Sequence, residues 1–458
     1  MRGEGKTLSG SGGRALSDAA AGGAAAGPAP RASREKWPRV KLGEICERGK
    51  TLSFEGRLED ACLLIADCPH TTAPDEGVGF PLVRTPNVGL GRLIYEKMHR
   101  VSEAVYNERI RRARPVAGDL IYAREAPAGN VALITKGEEV CLGQRTVLIR
   151  PNPDIANSVY LTYYLLSPEQ RNRLLSAASG ATVVHVNLPA IRDLEISLPP
   201  LPIQRRIAEV LGAYDDAIEN NRRRMAILEK MARELYRERF KRSKTRSGRG
   251  GRAGRAPLPA RTLGEIGIRL ESGSRPKGGI KGESEGVASV GAENVIGLGQ
   301  YNYASEKRIP RDFYESMKRG KIQDRDILLY KDGAYIGRVS LFQDGFPHRE
   351  AAINEHVFLI HANDETLQYY LFFTLAQERY FKIFQGLNAY AAQPGLAQSS
   401  VLGLKVEMPS LEEIREFDRV VSPLVSEIFN LALQSRNLAR QRDRLLPRLM
   451  SRRLEAGE

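Results

Sequence analysis

Six histidines and four cysteines are the residues of this 458-residue chain best suited to hold a metal or attack a substrate. The histidines (His70, His99, His185, His348, His356, His361) show no metal-ligand spacing. His356 and His361 stand five apart on an expected strand, which turns them to opposite faces. Cys46, Cys62, Cys68 and Cys141 form no Cys-x-x-Cys pair, so neither a zinc ribbon nor a redox motif is written. The stretch GEGKT at Gly3–Thr7 looks like the end of a phosphate-binding loop. Position 3 leaves no room for the earlier glycine or for the strand leading in. No Asn-Pro-Pro-aromatic run, no Asp-Pro-Pro-Tyr run and no nuclease-like carboxylate–lysine cluster appears. The sequence therefore offers no catalytic centre and no metal site.

The net charge of +14 suggests a polyanionic partner. Its distribution tempers that suggestion. Residues 1–36 carry six basic and three acidic side chains, and residues 241–260 carry seven basic and none acidic. These stretches supply +10 between them and leave the rest near +4. No segment approaches the 18 or more consecutive apolar residues of a membrane span. The first 36 residues lack the apolar core of a secretory signal. A soluble, cytoplasmic protein is expected, with no membrane contact and with thiols that suit a reducing compartment.

What must position any polar site is a unit written twice. Shifting the chain by 210 residues lays Leu194–Leu235 over Leu404–Leu445 without a gap, and nine of those 42 positions are identical. Apolar residues alternate by four and three in both copies. In the first they are Ile207, Leu211, Tyr214, Ile218, Met225, Leu228 and Leu235. In the second they are Phe417, Val421, Leu424, Ile428, Leu431, Leu438 and Leu445. Such spacing is the seam of a helix packed lengthwise on another helix. Two such rods in one chain bury their seams most simply against each other. Gly212 and Ser422–Pro423 predict a break near each helix start, leaving long helices over about 213–240 and 423–450. Each would span roughly 42 Å.

Upstream of each helix lies an α+β unit. Its strands are expected at 81–86, 119–123, 130–135 and 146–151, and again at 287–291, 326–331, 337–342 and 356–361. One helix over residues 158–177 follows in the first copy. The expected organisation is a disordered tail (1–36), a globular domain (37–200), a helical region (201–240), a flexible basic linker (241–260), a second domain (261–409) and a second helical region (410–454).

The run LPPLPIQRRIAEVLGAYDDAIENN resembles the signature of specificity (S) subunits of type I restriction–modification systems, through Leu198, Pro199, Leu201, Gln204, Ile207, Leu211, Asp215 and Ile218. The second copy departs from it, with Ile414 in place of Gln204 and Val425 in place of Asp215. The resemblance covers residues 37 to about 453. It implies that each globular unit is a target recognition domain and that the two helices pair as an antiparallel coiled coil. It implies a non-catalytic subunit that reads a bipartite, asymmetric site on double-stranded DNA. Two adenine methyltransferase (M) subunits and up to two restriction–translocase (R) subunits would be its partners. No cofactor would sit in this chain; S-adenosylmethionine would belong to M, and ATP with magnesium to R. The departures in the second motif also allow a scaffold that binds M but no longer reads sequence.

Arginine and lysine favour guanine edges, and asparagine and glutamine favour adenine. Polar residues in the inter-strand loops are accordingly the candidates for DNA contact. They are Arg84, Asn87, Arg124, Asn130, Gln144, Arg145, Thr182 and His185 in the first domain. In the second they are Lys331, Tyr335, Arg338, Asn354, His356, Asn388, Tyr390 and Gln393.

Overall fold

The computed structural model describes residues 53–176, 178, 184–240, 258–279, 285–389 and 395–450. The expected tail and nearly all of the expected linker lie outside these residues, as do Thr182, Tyr390 and Gln393. Asn388 is described only as part of the helix Glu378–Ala389.

Both globular units have the same topology. In the first, an antiparallel sheet takes the order Cys62–Asp67, Thr146–Pro151, Leu120–Ala123, Val131–Leu133. Its counterpart in the second runs Ile268–Ser272, Val357–Ala362, Ile327–Tyr330, Val339–Leu341. A three-stranded sheet with one parallel pair accompanies each, centred on Phe80–Val83 and on Val287–Val290. A two-stranded pair closes each unit just before its long helix, joining Phe54–Arg57 to Glu195–Leu198 and Ala260–Thr262 to Lys405–Glu407. The strands Thr146–Pro151 and Val357–Ala362 are buried at every position but the fifth. That is why they read as apolar runs rather than alternations.

The expected single helix after these strands is two, Ser158–Leu166 and Pro168–Ser176. Pro168 disfavours helical backbone at Ser167, so the first helix ends there and the second begins at the proline.

The two long helices are α1 (Leu201–Phe240) and α2 (Leu411–Met450), each unbroken over 40 residues. The breaks expected at Gly212 and at Ser422–Pro423 do not occur. Pro423 lies inside α2 with its ring on an exposed face, and Gly212 lies inside α1. The burial of neighbouring Leu211, Val421 and Val425 outweighs the local cost of those residues. The true starts lie ten or more residues earlier. The Pro200 carbonyl accepts from the Ile203 and Gln204 amides in α1. In α2 the Ser410 hydroxyl accepts from the Glu413 amide while the Glu413 carboxylate accepts from the Ser410 amide.

The helices run antiparallel against each other. Ion pairs Asp215–Arg442, Arg224–Glu427 at 2.8 Å and Arg239–Glu416 advance along one helix as they retreat along the other. The seam is broader and more uneven than the 4-3 spacing predicts. Phe417, Val421 and Ile428 are buried, with Val425 and Phe429 beside them. Leu424, Leu438 and Leu445 are only half-buried. On α1, Ile207 and Leu211 are buried in the first domain's core. Tyr214, Ile218, Met225, Leu228 and Leu235 are half-buried, and the deep positions near the C-terminus are Ala232, Tyr236 and Phe240.

Those C-terminal residues explain the pairing. Tyr236 and Phe240 pack among Tyr370, Phe373 and Phe417 in the second domain's core. Leu446, Leu449 and Met450 of α2 pack in turn on the first domain's core. Each helix leaves its own domain and finishes in the other's. Phe417, 2% exposed, stands at the centre of one such junction. Phe417→Ala should cost about 3–5 kcal/mol of stability, whereas Met231→Ala, on a residue 47% exposed, should stay within about 0.5 kcal/mol. Urea unfolding of the two variants measures the difference.

Candidate nucleic-acid interface

The candidate residues of each domain gather at one end of its four-stranded sheet. In the first domain that end is where Cys62–Asp67 and Leu120–Ala123 finish and Thr146–Pro151 begins, since Asp67 pairs with Val147 and Ala123 with Thr146. Arg124, Gln144 and Arg145 sit there, joined by Arg84 and by the segment carrying His185. In the second domain Tyr330 pairs with Val357, bringing Lys331, Tyr335 and Arg338 beside Asn354 and His356.

The surroundings divide these residues into two groups. Asn87 is buried; its amide NH2 donates to the Ile94 carbonyl at 3.0 Å and its oxygen accepts from the Arg84 amide at 3.2 Å. Asn294 does the same in the second domain, accepting from the Gly291 amide and donating to the Asn302 carbonyl. Asn130 is buried and tied to the Val88 carbonyl and to Arg171. Asn354 is buried, with its oxygen accepting from the His356 amide. Arg124 is buried too. Its guanidinium donates to the Val186 carbonyl at 2.8 Å, meets Asp67 at 3.0 Å and contacts the His185 ring at 2.8 Å. Asn87, Asn130, Asn354 and Arg124, expected as DNA contacts, are buried here and hold loops in place. A buried polar group must find its partners inside the fold, and these have done so.

The second group faces outward. Arg145 has a 63% exposed side chain and pairs with Glu125 at 2.8 Å. Gln144, half-buried, donates to the His70 carbonyl, and His185 contacts Glu125. Arg84 is half-buried, with one guanidinium nitrogen 3.5 Å from the Lys97 carbonyl. In the second domain His356 meets Asp332 at 2.6 Å, which matches Arg145 with Glu125 at the equivalent sheet end. The Lys331 amine donates to the Glu355 carbonyl at 3.2 Å. Tyr335 is exposed, with the Arg338 guanidinium 3.7 Å from its ring centroid.

Five participants went unnoticed in the sequence. Glu125 and Asp332 are the acidic partners just described, and Arg275 pairs with Glu355 at 2.6 Å at the second sheet end. Lys97 reaches from the first domain to the second, where its amine donates to the Tyr335 hydroxyl at 3.3 Å. Position and residue type flag none of them, because each acquires its meaning from a partner distant in the chain.

A cleft of about 1560 Å³ lies elsewhere, between the first domain, α1 and the Leu298–Gln300 loop of the second. Arg92, Arg205, Arg222 and Arg223 line it together with Asp215, Asp216 and Glu219. That mixture of charge does not favour a polyanion. Chemistry is likewise poorly served: burial pushes the Cys62 thiol up to about 12 and the Cys141 thiol up to about 11. Among the described residues no group of three or more His, Cys, Asp or Glu side chains could hold a metal, and no helix is long and apolar enough to cross a membrane.

Residues 97–230 match the family described as the type I restriction modification DNA specificity domain. A Methanocaldococcus jannaschii chain, the MjaIX specificity subunit of a type I restriction enzyme, is 24% identical over 354 residues, 74% of this chain and 78% of that one. The chain is thus similar to specificity subunits of type I restriction–modification systems. A second chain of the same organism, described as the MjaX specificity subunit, is 26% identical over 211 residues. That match covers 45% of this chain and only about half (48%) of the relative. The S subunit from M. genitalium shares the fold, with a TM-score of 0.52 at 15% identity over 88% of this chain and 97% of that one.

The division into supporting and outward residues can be measured on stability alone. Asn87→Ala leaves the Arg84 amide and the Ile94 carbonyl without their partner and should cost about 1–3 kcal/mol. Arg145→Ala should change stability by less than about 0.5 kcal/mol. Denaturant unfolding of both variants checks the pair.

Proposed function

We propose that this chain is the non-catalytic, cytoplasmic DNA-specificity subunit of a type I restriction–modification complex, and that each sheet end reads one half of a bipartite duplex site. The observation that carries this reading is the repetition of one architecture with altered chemistry. Two domains of the same topology present different outward side chains at equivalent sheet ends, Gln144, Arg145 and His185 in one and Lys331, Tyr335, Arg338 and His356 in the other. Different readers imply different half-sites, hence an asymmetric sequence.

The spacing agrees with a duplex partner. The first domain grips α1 around Ile207 and Leu211, and the second grips it around Ala232 and Tyr236. Those footings are 25 residues apart, or about 38 Å, close to one turn of B-DNA at about 34–36 Å. This replaces the 42 Å expected from a broken helix and leads to the same geometry. On this reading two M subunits dock on the chain and bring S-adenosylmethionine, and R subunits join with ATP and magnesium. The scaffold alternative drew its motive from Ile414 and Val425. Both are fully buried in the second domain's core, so their departure from the motif is no sign of decay.

With its M partner bound, the full chain should enrich one bipartite, asymmetric sequence from random duplex DNA. Replacing Arg145 and Gln144 with alanine should relax one half of that sequence, and replacing Tyr335 and Arg338 should relax the other, at about 1–3 kcal/mol per lost base contact. Normal M binding without any enrichment would sink the reading in favour of the scaffold.

A further inference from the structure

The two ends of the helix pair are related by the 210-residue repeat, and they differ in a correlated way. At the first end Tyr163 donates its hydroxyl proton to Asp215, and Arg442 of α2 binds the same carboxylate. The equivalent positions at the second end are Phe373, Val425 and Ala232, all apolar and all in one core cluster. The hydroxyl, the carboxylate and the guanidinium are present together or absent together. Burial pulls the Arg442 guanidinium toward neutrality, and Asp215 and Asp443 more than offset it.

Size varies in the same correlated fashion. Tyr236 of α1 enters the second domain and places its hydroxyl 2.8 Å from the Thr374 Oγ1. The equivalents at the first end are Leu446 of α2 and Tyr164, in and against the first domain's core. A large helix residue meets a small domain residue at one end, and a smaller helix residue meets a large domain residue at the other.

We propose that these five pairs of equivalent positions form a mating code by which α1 and α2 select each other and reject the like helix of a second copy of the chain. Two α1 helices paired in this register would set Asp215 against Ala232 with no cation, and Tyr236 against Tyr164 with no room. Two α2 helices would set Arg442 against Val425 with no anion, and Leu446 against Thr374 with a gap. Removing one partner of a buried charge pair is strongly unfavourable, and overpacking and voids add to it. A chain made of two similar halves needs such discrimination, because an apolar stripe at the same spacing recurs along both helices.

The test uses the full chain, refolded over a range of concentrations, with mass measured by light scattering after size exclusion. The variant Tyr163→Phe, Tyr164→Thr, Asp215→Val, Arg442→Ala, Leu446→Tyr copies the second end onto the first. Its dimer fraction should exceed that of the unaltered chain by about tenfold at equal concentration. Helix exchange that keeps the native α1–α2 pairing is open to both chains alike, so the difference isolates like-with-like pairing. The reverse variant, Phe373→Tyr, Thr374→Tyr, Val425→Asp, Ala232→Arg, Tyr236→Leu, should behave the same way. Dimer fractions at the unaltered level in the variants that fold would overturn the proposal. Independently of assembly, Asp215→Val with Arg442→Ala must be more stable to urea than either single change. A double variant that merely sums the two losses also overturns it.

Discussion

Neither globular domain completes its core from its own half of the chain. The first needs Leu446, Leu449 and Met450 from the end of α2, and the second needs Ala232, Tyr236 and Phe240 from the end of α1. That exchange of helix ends is the constraint on which the other features depend. It makes the helix pair part of both cores rather than a stalk between them, and so fixes the domains along a common axis. The helices need not be good autonomous helices for this to hold. Gly212 in α1, with Pro423 and Pro447 in α2, are tolerated because the buried faces around them are worth more than the backbone bonds they weaken.

A frame held in this way lets the sheet ends vary. The turns that build those ends are the same in both domains, with Asn87 and Asn294 each bridging a tight turn to a neighbouring backbone carbonyl. A buried acid also recurs. Asp119 receives Arg150 at 2.8 Å, and at the equivalent sheet position Asp326 receives His361 at 2.7 Å. Burial pushes the Asp326 carboxyl above the ordinary carboxylate range despite the imidazole beside it. Outward of this framework the Arg145 guanidinium stands at one equivalent place in one domain and the His356 imidazole in the other, each beside its own carboxylate. Support is shared and presentation is not.

Much of the fold is legible in the sequence. Runs such as Thr146–Pro151 and Val357–Ala362 are apolar over a strand's length and end in turn residues, and each proved to be a central strand. The 210-residue shift revealed two units, and the antiparallel helix pairing matches the resemblance. What escaped has physical reasons. Periodicity locates an apolar stripe but not which part of it meets a domain core, so Tyr236 and Phe240 outrank the expected Met225 and Leu235. Residue type does not distinguish an outward polar side chain from a buried one. Asn87, Arg124, Asn130 and Asn354 have the types that read bases and the burial of structural struts. Only their partners separate the two roles, and those partners are contributed by other strands.

The second helix motif shows the same limit from the opposite side. Gln204 is buried and holds three backbone groups at once: it accepts from the Asn157 amide at 2.8 Å and donates to the Ile155 carbonyl at 2.9 Å and the Pro199 carbonyl at 2.7 Å. At the equivalent positions stand Ile414 and Leu367, both buried in the second core. An isoleucine opposite an unsatisfied turn would be destabilising, and a glutamine opposite a leucine would be too. The polar and the apolar arrangements are each self-consistent, and only a mixture of them fails. Scored one position at a time, Ile414 counts as a lost motif residue. Scored with its neighbour, it is one half of a completed exchange, and the second helix anchors its domain as fully as the first.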